Sequence, residues 1–572
     1  MTLENIKSFF YIIFSFDERY PLLFTQFYFW AFFAIVFAIF SLVHSRRLLR
    51  NAFLFFASLF FYYKTSGLFV LILILSTLYG FYIGKRIGKL EKKRPRKTYL
   101  VIGVVVNLLV LCYFKYAYFF TDVYNNLFHT DYEVINYLAK WANDWGNSTR
   151  FDASKILLPV GISFYTFQNI SYLVDVYRKR VEPVSNILDF GFYTAFFPQL
   201  VAGPIIRANQ FIPQLYKKFS LSRKQFGIAV FWILNGLLKK LILSDYLAVN
   251  FVDRVIDNPI LFTGFENLMA IFVYSLQVYA DFSGYTDIAI GVAMLMGFYL
   301  PINFNSPYKA TNCGDFWRRW HISLSTWLKD YLYIPLGGSR KGKFRTHINL
   351  MTTMLLGGLW HGASWNFMIW GGLNGCGIII FKIWRNMKKY ARTILTFTLF
   401  AGFSTFNILF PHPALMIGTV WTGVIFFGTF IDQIYSLIIK NKPVKWLNRA
   451  WSILLTFVFI TFTRLFFRSG SNLDPAEANR MAWETAQNMV MRIGGKWQLD
   501  LIPQILYEYR FVFILFLVGM IIHWLPTRWK RWYRLNFAML PIWLIAAISI
   551  AVIFLSYQFV TADLQPFIYF QF

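Results

Sequence analysis

The chain has 572 residues, of which 57% are hydrophobic and only 15% are charged, and its mean hydropathy is +0.48. Ordinary soluble domains carry about 25% charged residues, so these proportions exclude a string of water-soluble domains. Lysine and arginine number 56 against 27 acidic residues, a formal net charge of +29. In a membrane protein such an excess collects in cytoplasmic loops, and it does not indicate nucleic acid as a partner. The composition predicts an all-α polytopic membrane protein whose constant partner is the lipid bilayer.

A helix needs about 20 apolar residues to cross a bilayer, and by that measure the sequence predicts roughly a dozen crossings or half-crossings. The clearer apolar runs are 27–43, 51–83 (two short helices that turn near residues 64–67), 99–120, 186–203, 226–243, 261–280, 284–300, 348–381, 393–410, 414–438, 450–467, 511–525 and 537–556. Between them lie connections that carry most of the charge. The pattern contains neither a soluble domain nor a repeat of fixed period.

Basic clusters predict which connections face the cytoplasm. They lie at 46–50, 85–97, 382–389, 440–445 and 528–534. Two predicted passes separate the first cluster from the second, and two passes separate each of the last three clusters from the next. Positive residues favour the cytoplasmic side, so the polar stretches 121–155 and 469–500 are predicted to lie outside. Within the second stretch, Asp474-Pro475-Ala476-Glu477 is typical of a helix start. The amphipathic helix that follows, 478–493, is expected on the outer membrane surface.

Among seven histidines, His361 is the strongest candidate for chemistry. It follows 13 residues of an apolar run that begins at Ile348, which corresponds to about 20 Å of helix. Basic residues flank both ends of the run 348–381, and its glycines allow a break, so a hairpin or broken helix is expected. An ionisable side chain at such depth is a candidate functional residue, although a histidine that only hydrogen-bonds between helices would give the same pattern.

A second histidine, His321, lies in the run 315–330. Trp317, Trp320 and Trp327 recur at helical spacing there, so the run is predicted to form one amphipathic helix with its aromatic residues on one face. The basic run 340–345 follows, and it is either a cytoplasmic anchor or a place for the phosphates of a carrier or coenzyme. Histidine is the usual general base near neutral pH. At this point the pattern fits both acyl transfer and a proton-coupled carrier.

Other chemistry-bearing residues are sparse. Asp281 and Asp287 fall between two predicted helices, where a helix cap or a polar cavity lining is the ordinary explanation. Cys112, Cys313 and Cys376 form no CxxC pair, and the pattern indicates neither a disulfide framework nor a metal site.

Two long segments make the sequence recognisable. Residues 301–338, PINFNSPYKATNCGDFWRRWHISLSTWLKDYLYIPLGG, closely resemble the signature of the membrane-bound O-acyltransferase (MBOAT) family, and residues 358–375, GLWHGASWNFMIWGGLNG, resemble its second signature. Supporting stretches are 158–178, 197–207, 281–291, 464–469 and the terminal FIYFQF. The resemblance covers most of the chain after residue 155. It is closest to the bacterial branch that includes the alginate O-acetylation membrane protein and the D-alanyl transfer protein of teichoic acid modification.

The resemblance implies a ring of transmembrane helices, with re-entrant helices, around a central funnel. It implies a catalytic core at 156–467, preceded by transmembrane helices with a polar extracytoplasmic insert at 1–155. The remainder, 468–572, would hold the outer amphipathic helix and further transmembrane helices. The expected location is the bacterial inner (cytoplasmic) membrane.

The resemblance also implies the roles of the site residues. His361 is expected to be catalytic, either taking a proton from an acceptor hydroxyl or holding the acyl group transiently, and His321 is expected to be its partner, which orients the donor or stabilises the oxyanion. The second-rank candidates for donor binding or for positioning of the helix are Asn303, Asp315, Arg318, Arg319 and Trp360.

We expect no tightly bound cofactor and no metal, but an acyl thioester co-substrate on the cytoplasmic side, either acetyl-CoA or an acyl carrier protein. The expected reaction is O-acylation, most simply acetylation, of an extracellular or cell-wall polysaccharide. A periplasmic or extracellular protein is expected to accept the acetyl group first. The alternatives are direct acylation of a lipid-linked acceptor and a transporter in which Asp281, His321 and His361 relay protons.

Overall fold

The computed structural model describes residues 15–16, 22–146, 151–201, 203–438, 444–468 and 475–559. Helices make up 80% of it, and no β-strand occurs in these ranges. By length and composition, seven helical segments of the described part can cross a membrane, or eight if the pair Leu499–Glu508 and Arg510–Trp524, bent by 81°, is one span. The seven are Arg47–Lys89, Lys93–Phe128, Arg223–Asp257, Trp365–Asn386, Pro413–Ile438, Lys445–Phe466 and Ile542–Phe559. The prediction of an all-α polytopic membrane protein is confirmed.

Several predicted runs take a different form from the one expected. The run 186–203 is no span, because it forms two short helices, Ile187–Ala195 and Phe197–Leu200, both buried. The runs 261–280 and 284–300 are not separate helices, because Gly264–Leu295 is continuous over 32 residues. Apolar composition alone does not distinguish a helix that is buried in the protein from one that faces lipid, because the protein interior and the lipid interior both favour apolar residues. The sides of the membrane assigned from the basic clusters stay a prediction.

The chain divides into two compact units. One comprises Met1–Leu237, Gly284–Ile302 and Trp532–Ile553. Its helices of at least eight residues are Phe27–Val43, Arg47–Ser66, Val70–Lys89, Lys93–Leu111, Ala117–Phe128, Tyr137–Gly146, Ile162–Tyr177, Ile187–Ala195, Ala208–Leu215 and Arg223–Leu237. The predicted turn near residues 64–67 is confirmed at Gly67, which has a φ of +58°. The predicted division after residues 155 and 467 concerns function rather than packing and stays a prediction.

The core of this unit is aromatic. The rings of Phe192, Phe196 and Phe211 each lie within 5.5 Å of the Phe298 ring. Phe192 and Phe196 are themselves 4.9 Å apart. Aromatic side chains bury large apolar areas and stabilise one another in edge-on pairs, which explains how short helices such as Ile187–Ala195 are held inside the protein.

The other unit comprises Leu238–Ser283, Asn303–Arg531 and Phe554–Phe572. Its longer helices are Gly342–His361, Trp365–Asn386, Lys389–Leu409, Pro413–Ile438, Lys445–Thr463, Pro475–Ile493 and Arg510–Trp524. The helices Gly264–Leu295, Thr527–Met539 and Ile542–Phe559 have residues in both units. The helix predicted to follow the Asp474 cap is confirmed as Pro475–Ile493, while Asp474 itself lies outside the described residues.

The broken helix predicted around His361 is confirmed. Gly342–His361 and Trp365–Asn386 are joined by residues 362–364, and we call these two helices the histidine hairpin. The two backbones touch at glycines: a Cβ at Gly358 would overlap the carbonyl oxygen of Phe367, and one at Gly371 would overlap that of Met354. Small residues permit such close approach of helices in membranes, so the packing of this hairpin depends on these glycines.

The single amphipathic helix predicted over 315–330 is wrong. Two short helices, Cys313–Trp317 and Ile322–Leu328, are separated by a turn that we call the histidine turn, residues 318–321. His321 ends the turn in the left-handed region, with φ +43°. The spacing of the tryptophans suggested one helix because the tryptophans along the whole run are buried. Hydrophobic periodicity cannot reveal a single residue in the left-handed conformation.

We predict that Gly358→Ala destabilises the protein by about 1–3 kcal/mol, because the added methyl must displace the backbone of the neighbouring helix. Thermal unfolding of the detergent-purified protein measures this. Gly402→Ala is the matched control, since nothing lies within 4 Å of a Cβ there, and helix propensity favours alanine by about 0.5–1 kcal/mol. Equal unfolding temperatures for the two variants would contradict the close packing of the hairpin.

Candidate active site

His361 is the last residue of the first helix of the histidine hairpin and is 2% exposed. Aromatic rings surround its imidazole: the centroids of Trp360, Trp370 and Phe467 lie 5.0, 5.1 and 5.5 Å away. The chain leaves the helix through Gly362, where a Cβ would overlap the ring of Phe367. His361 is therefore placed at a helix end, where the backbone turns away and the side chain remains enclosed.

The second predicted histidine lies beside the first. His321 is fully buried, and its ring centroid is 6.2 Å from that of His361, with the ring planes at 65°. Phe282 packs edge-on against His321 at 4.7 Å, and Trp360 lies 5.9 Å from it. The structure thus brings two histidines that are 40 positions apart in sequence into one aromatic enclosure.

Asn303 positions His321. Its side-chain oxygen, Oδ1, lies 3.2 Å from Nδ1 of His321 and accepts hydrogen bonds from the backbone N–H and the hydroxyl of Ser323, at 3.1 and 3.0 Å. Its backbone carbonyl accepts from the N–H of Ile322 at 3.0 Å. Asn303 therefore holds the two residues that follow His321 as well as the imidazole itself.

This arrangement determines which nitrogen of His321 carries the proton. The N–H of Ser323 points at the Asn303 side chain, so the atom facing it must be the amide oxygen and not the amide nitrogen. That oxygen can only accept, so Nδ1 of His321 must be the donor and Nε2 carries the acceptor lone pair. Burial lowers the pKa of His321 to about 3, and the ring is therefore neutral at physiological pH. His321 lies outside the candidate membrane spans.

The second-rank residues separate into two groups. Asn303 and Trp360 contact the histidine pair. The others hold the histidine turn: the carboxylate of Asp315 accepts from Nε of Arg319 at 3.0 Å and lies 3.5 Å from the guanidinium of Arg318. Arg318 points outward, with its side chain 72% exposed. In the described structure these three residues shape the approach to His321 rather than the imidazole pair itself.

Several residues of this site were not singled out from the sequence. The guanidinium of Arg464 lies 4.4 Å above the ring of Trp320 and donates to the carbonyl of Ser275 at 3.1 Å. The indole N–H of Trp317 donates to the side-chain oxygen of Asn374 at 3.2 Å. These contacts tie the histidine turn to the hairpin and to Arg464. Asn374 and Arg464 occur within the quoted stretches 358–375 and 464–469, but spacing gave no sign that they meet the tryptophans.

Buried charge is kept in a separate cluster. The ammonium of Lys240 lies 2.7 Å from a carboxylate oxygen of Asp245 and 2.7 Å from one of Asp281. Asp281 sits inside the continuous helix Gly264–Leu295, so the predicted role of a helix cap is wrong. Buried charges require such pairing. Asp287 also lies within that helix and accepts a hydrogen bond from Asn235 at 2.7 Å.

Metal ligation is not indicated. In the part of the chain that the structure describes, no group of three or more histidine, cysteine, aspartate or glutamate side chains could hold a metal ion. Cys112, Cys313 and Cys376 are free thiols.

The comparison with protein families now identifies the class. The sequence model of the MBOAT, membrane-bound O-acyltransferase family, matches residues 102–417, more than half of the chain. The chain belongs to the membrane-bound O-acyltransferase family, and the resemblance stated from the two signatures is confirmed. The matched segment includes both histidines and Asn303.

Individual relatives agree with this membership. The probable alginate O-acetylase AlgI of Pseudomonas aeruginosa is 42% identical over 335 residues, 58% of this chain and 60% of that protein. The peptidoglycan O-acetyltransferase of Helicobacter pylori is 34% identical over 359 residues, 58% of this chain and 64% of that protein. The teichoic acid D-alanyltransferase of Streptococcus thermophilus is 28% identical over 246 residues, 40% and 58% of the two chains. The chain thus spans less than two thirds of the length of each of these curated relatives.

We predict that the His321 imidazole remains neutral, with its proton on Nδ1, from about pH 8 to about pH 5, because burial lowers its pKa to about 3. Nitrogen-15 NMR of histidine-labelled protein reports both the tautomer and the protonation state. Comparison with the spectrum of His321→Gln assigns the signal among the seven histidines. Protonation of this ring near its ordinary pKa of about 6.5 would contradict its enclosure.

Proposed function

We propose that the chain is an O-acyltransferase of the bacterial inner membrane, which moves an acetyl group from a cytoplasmic thioester to hydroxyl groups of an extracellular or cell-wall polysaccharide. The observation that carries this proposal is the pair of buried imidazoles 6.2 Å apart within an aromatic enclosure. Family membership supports acyl transfer as the reaction class. The relatives that are named for alginate, peptidoglycan and teichoic acid support a surface polymer as the final acceptor.

His361 is the proposed general base. The oxygen of an acceptor hydroxyl attacks the thioester carbonyl while its proton passes to His361. The tetrahedral intermediate then collapses, the carbon–sulfur bond breaks, and the imidazolium returns the proton to the leaving thiolate. An ester and a free thiol result, and His361 ends the cycle neutral. Its place at a helix end, almost fully buried beside three aromatic rings and 6.2 Å from His321, supports this role.

His321 is the proposed positioning partner. A group whose pKa is lowered to about 3 is a weak base near neutrality. Its acceptor nitrogen, Nε2, is suited to accept a hydrogen bond from the acceptor hydroxyl or from an amide N–H of the donor. Because that nitrogen carries a lone pair, the tautomer supports this orienting role over donation to an oxyanion. The orientation of a hydroxyl against a base can contribute a large part of a rate enhancement.

The aromatic wall protects the thioester. Trp360, Trp370, Phe282 and Phe467 pack around the imidazoles, and burial of this kind excludes water that would otherwise hydrolyse the donor. Both imidazoles are almost fully buried, so a polymer chain could reach them only by displacing this wall. We therefore propose that a small hydroxyl-bearing group, presented by a periplasmic or extracellular acceptor protein, takes the acetyl group first.

We predict that His361→Ala lowers acetyl transfer by about 10²–10⁴-fold, the contribution typical of a general base. The measurement is incorporation of labelled acetyl groups into the extracellular glycan of cells that contain equal amounts of wild-type and variant protein in their membranes. His412→Asn is the matched control, because His412 is exposed and caps the backbone N–H of Ala414, which asparagine can also do. Undiminished acetylation by His361→Ala would overturn the catalytic assignment.

We predict that Asn303→Ala lowers the transfer rate by up to about 10²-fold, because His321 loses its orientation. Asn303→Asp keeps the accepting oxygen, so it should recover much of the rate at high pH. Its carboxylate would raise the pKa of His321, and activity should then begin to fall at a higher pH than in the wild type, as His321 becomes protonated. A pH profile of the purified variants measures this. Identical wild-type and Asn303→Asp profiles would contradict the positioning role.

A further inference from the structure

A cluster of lysines lies near the histidine turn and is unused by the proposed chemistry. The ammonium of Lys530 donates to the carbonyl of His523 at 2.8 Å and to the hydroxyl of Ser306 at 2.9 Å. The ammonium of Lys309 donates to the carbonyl of Leu525 at 2.7 Å. Both groups therefore converge on the end of the helix Arg510–Trp524. Each side chain is half-buried, so it is accessible to a small solute.

Capping of that helix does not account for this much charge. A helix C-terminus carries roughly half a negative charge, whereas Lys309 and Lys530 bring two ammonium groups to it. In the part of the chain that the structure describes, neither lysine forms an ion pair with a carboxylate. Burial and the nearby positive charges of Lys309 and Lys239 lower the pKa of Lys530 to about 7. Burial lowers the pKa of Lys309 too, and so do the charges of Arg319 and Arg449.

A third lysine extends the cluster toward the interior. The ammonium of Lys239 donates to the hydroxyl of Ser283 at 2.9 Å and lies 5.6 Å from the centre of the Tyr279 ring. The same ring packs edge-on against His523 at 4.6 Å. The lysines therefore surround one location, bordered by Tyr279 and His523.

A continuous series of aromatic contacts leads from this location to the histidine pair. Tyr279 lies 5.7 Å from Phe304, and Phe304 lies 5.1 Å from Phe282. Phe282 in turn packs against His321 at 4.7 Å. A slender apolar arm that runs along these rings would join a charged group at the lysines to a reactive group at the imidazoles.

We propose that Lys309, Lys530 and Lys239 bind the phosphate groups of the acyl donor. The inference rests on the proposed function, takes its donor to be a thioester on a phosphopantetheine-type arm, and adds the residues that hold the phosphates of that donor. In such donors the acyl group and the phosphate lie at opposite ends of the arm, as the imidazoles and the lysines do here. Fixed ammonium groups stabilise phosphate oxygens through charge-assisted hydrogen bonds.

The exposed basic run 340–345 is the competing place for these phosphates. Arg340 and Lys343 are solvent-exposed, and surface charges in water interact weakly with anions because solvent and salt screen them. The half-buried lysines are screened less. Neutral substitutions should therefore weaken phosphate binding at only one of the two locations, and the binding measurements compare them.

The first measurement is direct binding. Thermal stabilisation of the detergent-purified full chain is followed with coenzyme A and, separately, with inorganic pyrophosphate. We expect both to stabilise the wild type, and Lys309→Gln/Lys530→Gln to weaken the apparent affinity by at least about tenfold, since charged hydrogen bonds of this strength are lost. Lys309→Arg/Lys530→Arg should restore binding. Lys93→Gln/Lys97→Gln, at two exposed lysines, is the matched control and should bind normally.

The second measurement separates phosphate recognition from catalysis. Acetyl transfer is compared with acetyl-CoA and with acetyl-pantetheine, which lacks phosphate. We expect Lys309→Gln/Lys530→Gln to raise the KM for acetyl-CoA by at least about tenfold, with kcat/KM for acetyl-pantetheine unchanged. Equal effects on both donors would overturn the phosphate site while leaving the proposed function intact. A wild type that uses neither thioester would instead overturn the proposed function, and the binding measurement would then stand alone.

Two further outcomes would overturn the proposal. One is that Arg340→Gln/Lys343→Gln loses affinity for coenzyme A while Lys309→Gln/Lys530→Gln keeps it, which would place the phosphates at the exposed run. The other is that Lys309→Gln/Lys530→Gln binds coenzyme A normally but binds less to vesicles containing anionic phospholipid, which would make the ligand a lipid headgroup.

Discussion

The candidate site depends on one side-chain oxygen, Oδ1 of Asn303. Three donors converge on it, from His321 and from the backbone and hydroxyl of Ser323. A left-handed residue other than glycine costs of order 1–3 kcal/mol and persists only where its surroundings enforce it, and these bonds supply that enforcement for His321. Because the backbone, ring and tautomer of His321 all depend on the same oxygen, one half of the imidazole pair depends on it as well.

The histidine hairpin supplies the other half of the pair by a different kind of constraint. Close contact of two helix backbones at Gly358 and Gly371 leaves little freedom for the helix end that carries His361. Hydrogen bonding thus fixes one imidazole and steric contact fixes the other. Cation–π stacking of Arg464 on Trp320 and the Trp317–Asn374 hydrogen bond connect the two constraints, so that the ring separation does not rest on either element alone.

The sequence was sufficient for the class of fold and the location of the histidine hairpin. Each of these follows from a local signal, such as apolar length or a glycine-rich break. The structure places His321 and His361 side by side, and their catalytic roles stay a prediction. The left-handed kink at His321 was not predictable in the same way, because it is enforced by Asn303, 18 positions earlier in the chain.

Long-range pairing explains the remaining errors. Asp281 was interpreted as a helix cap because its partner, Lys240, lies 41 positions away in the sequence and was not recognised. The ion pair with Lys240 stabilises the carboxylate within the helix, so the helix continues past it. The run 186–203 looked like a span because the aromatic rings that bury it belong to distant segments. In each case the sequence identified a residue that needed a partner but did not identify the partner.

The separation of charge from the imidazoles bears on how the site would favour the proposed acyl transfer over hydrolysis. A carboxylate beside His321 would raise the pKa of that ring and bring water with it, but the two buried carboxylates nearest in sequence to Phe282 are otherwise engaged, Asp281 with Lys240 and Asp287 with Asn235. Phe282, the residue that touches His321, presents only a ring edge. The same helix therefore holds one carboxylate on an ammonium and the other on an amide, and gives the histidines an apolar wall. In such surroundings the proposed base can take a proton from a bound hydroxyl without stabilising free hydroxide, which is the condition under which an alcohol can compete successfully with water for a thioester.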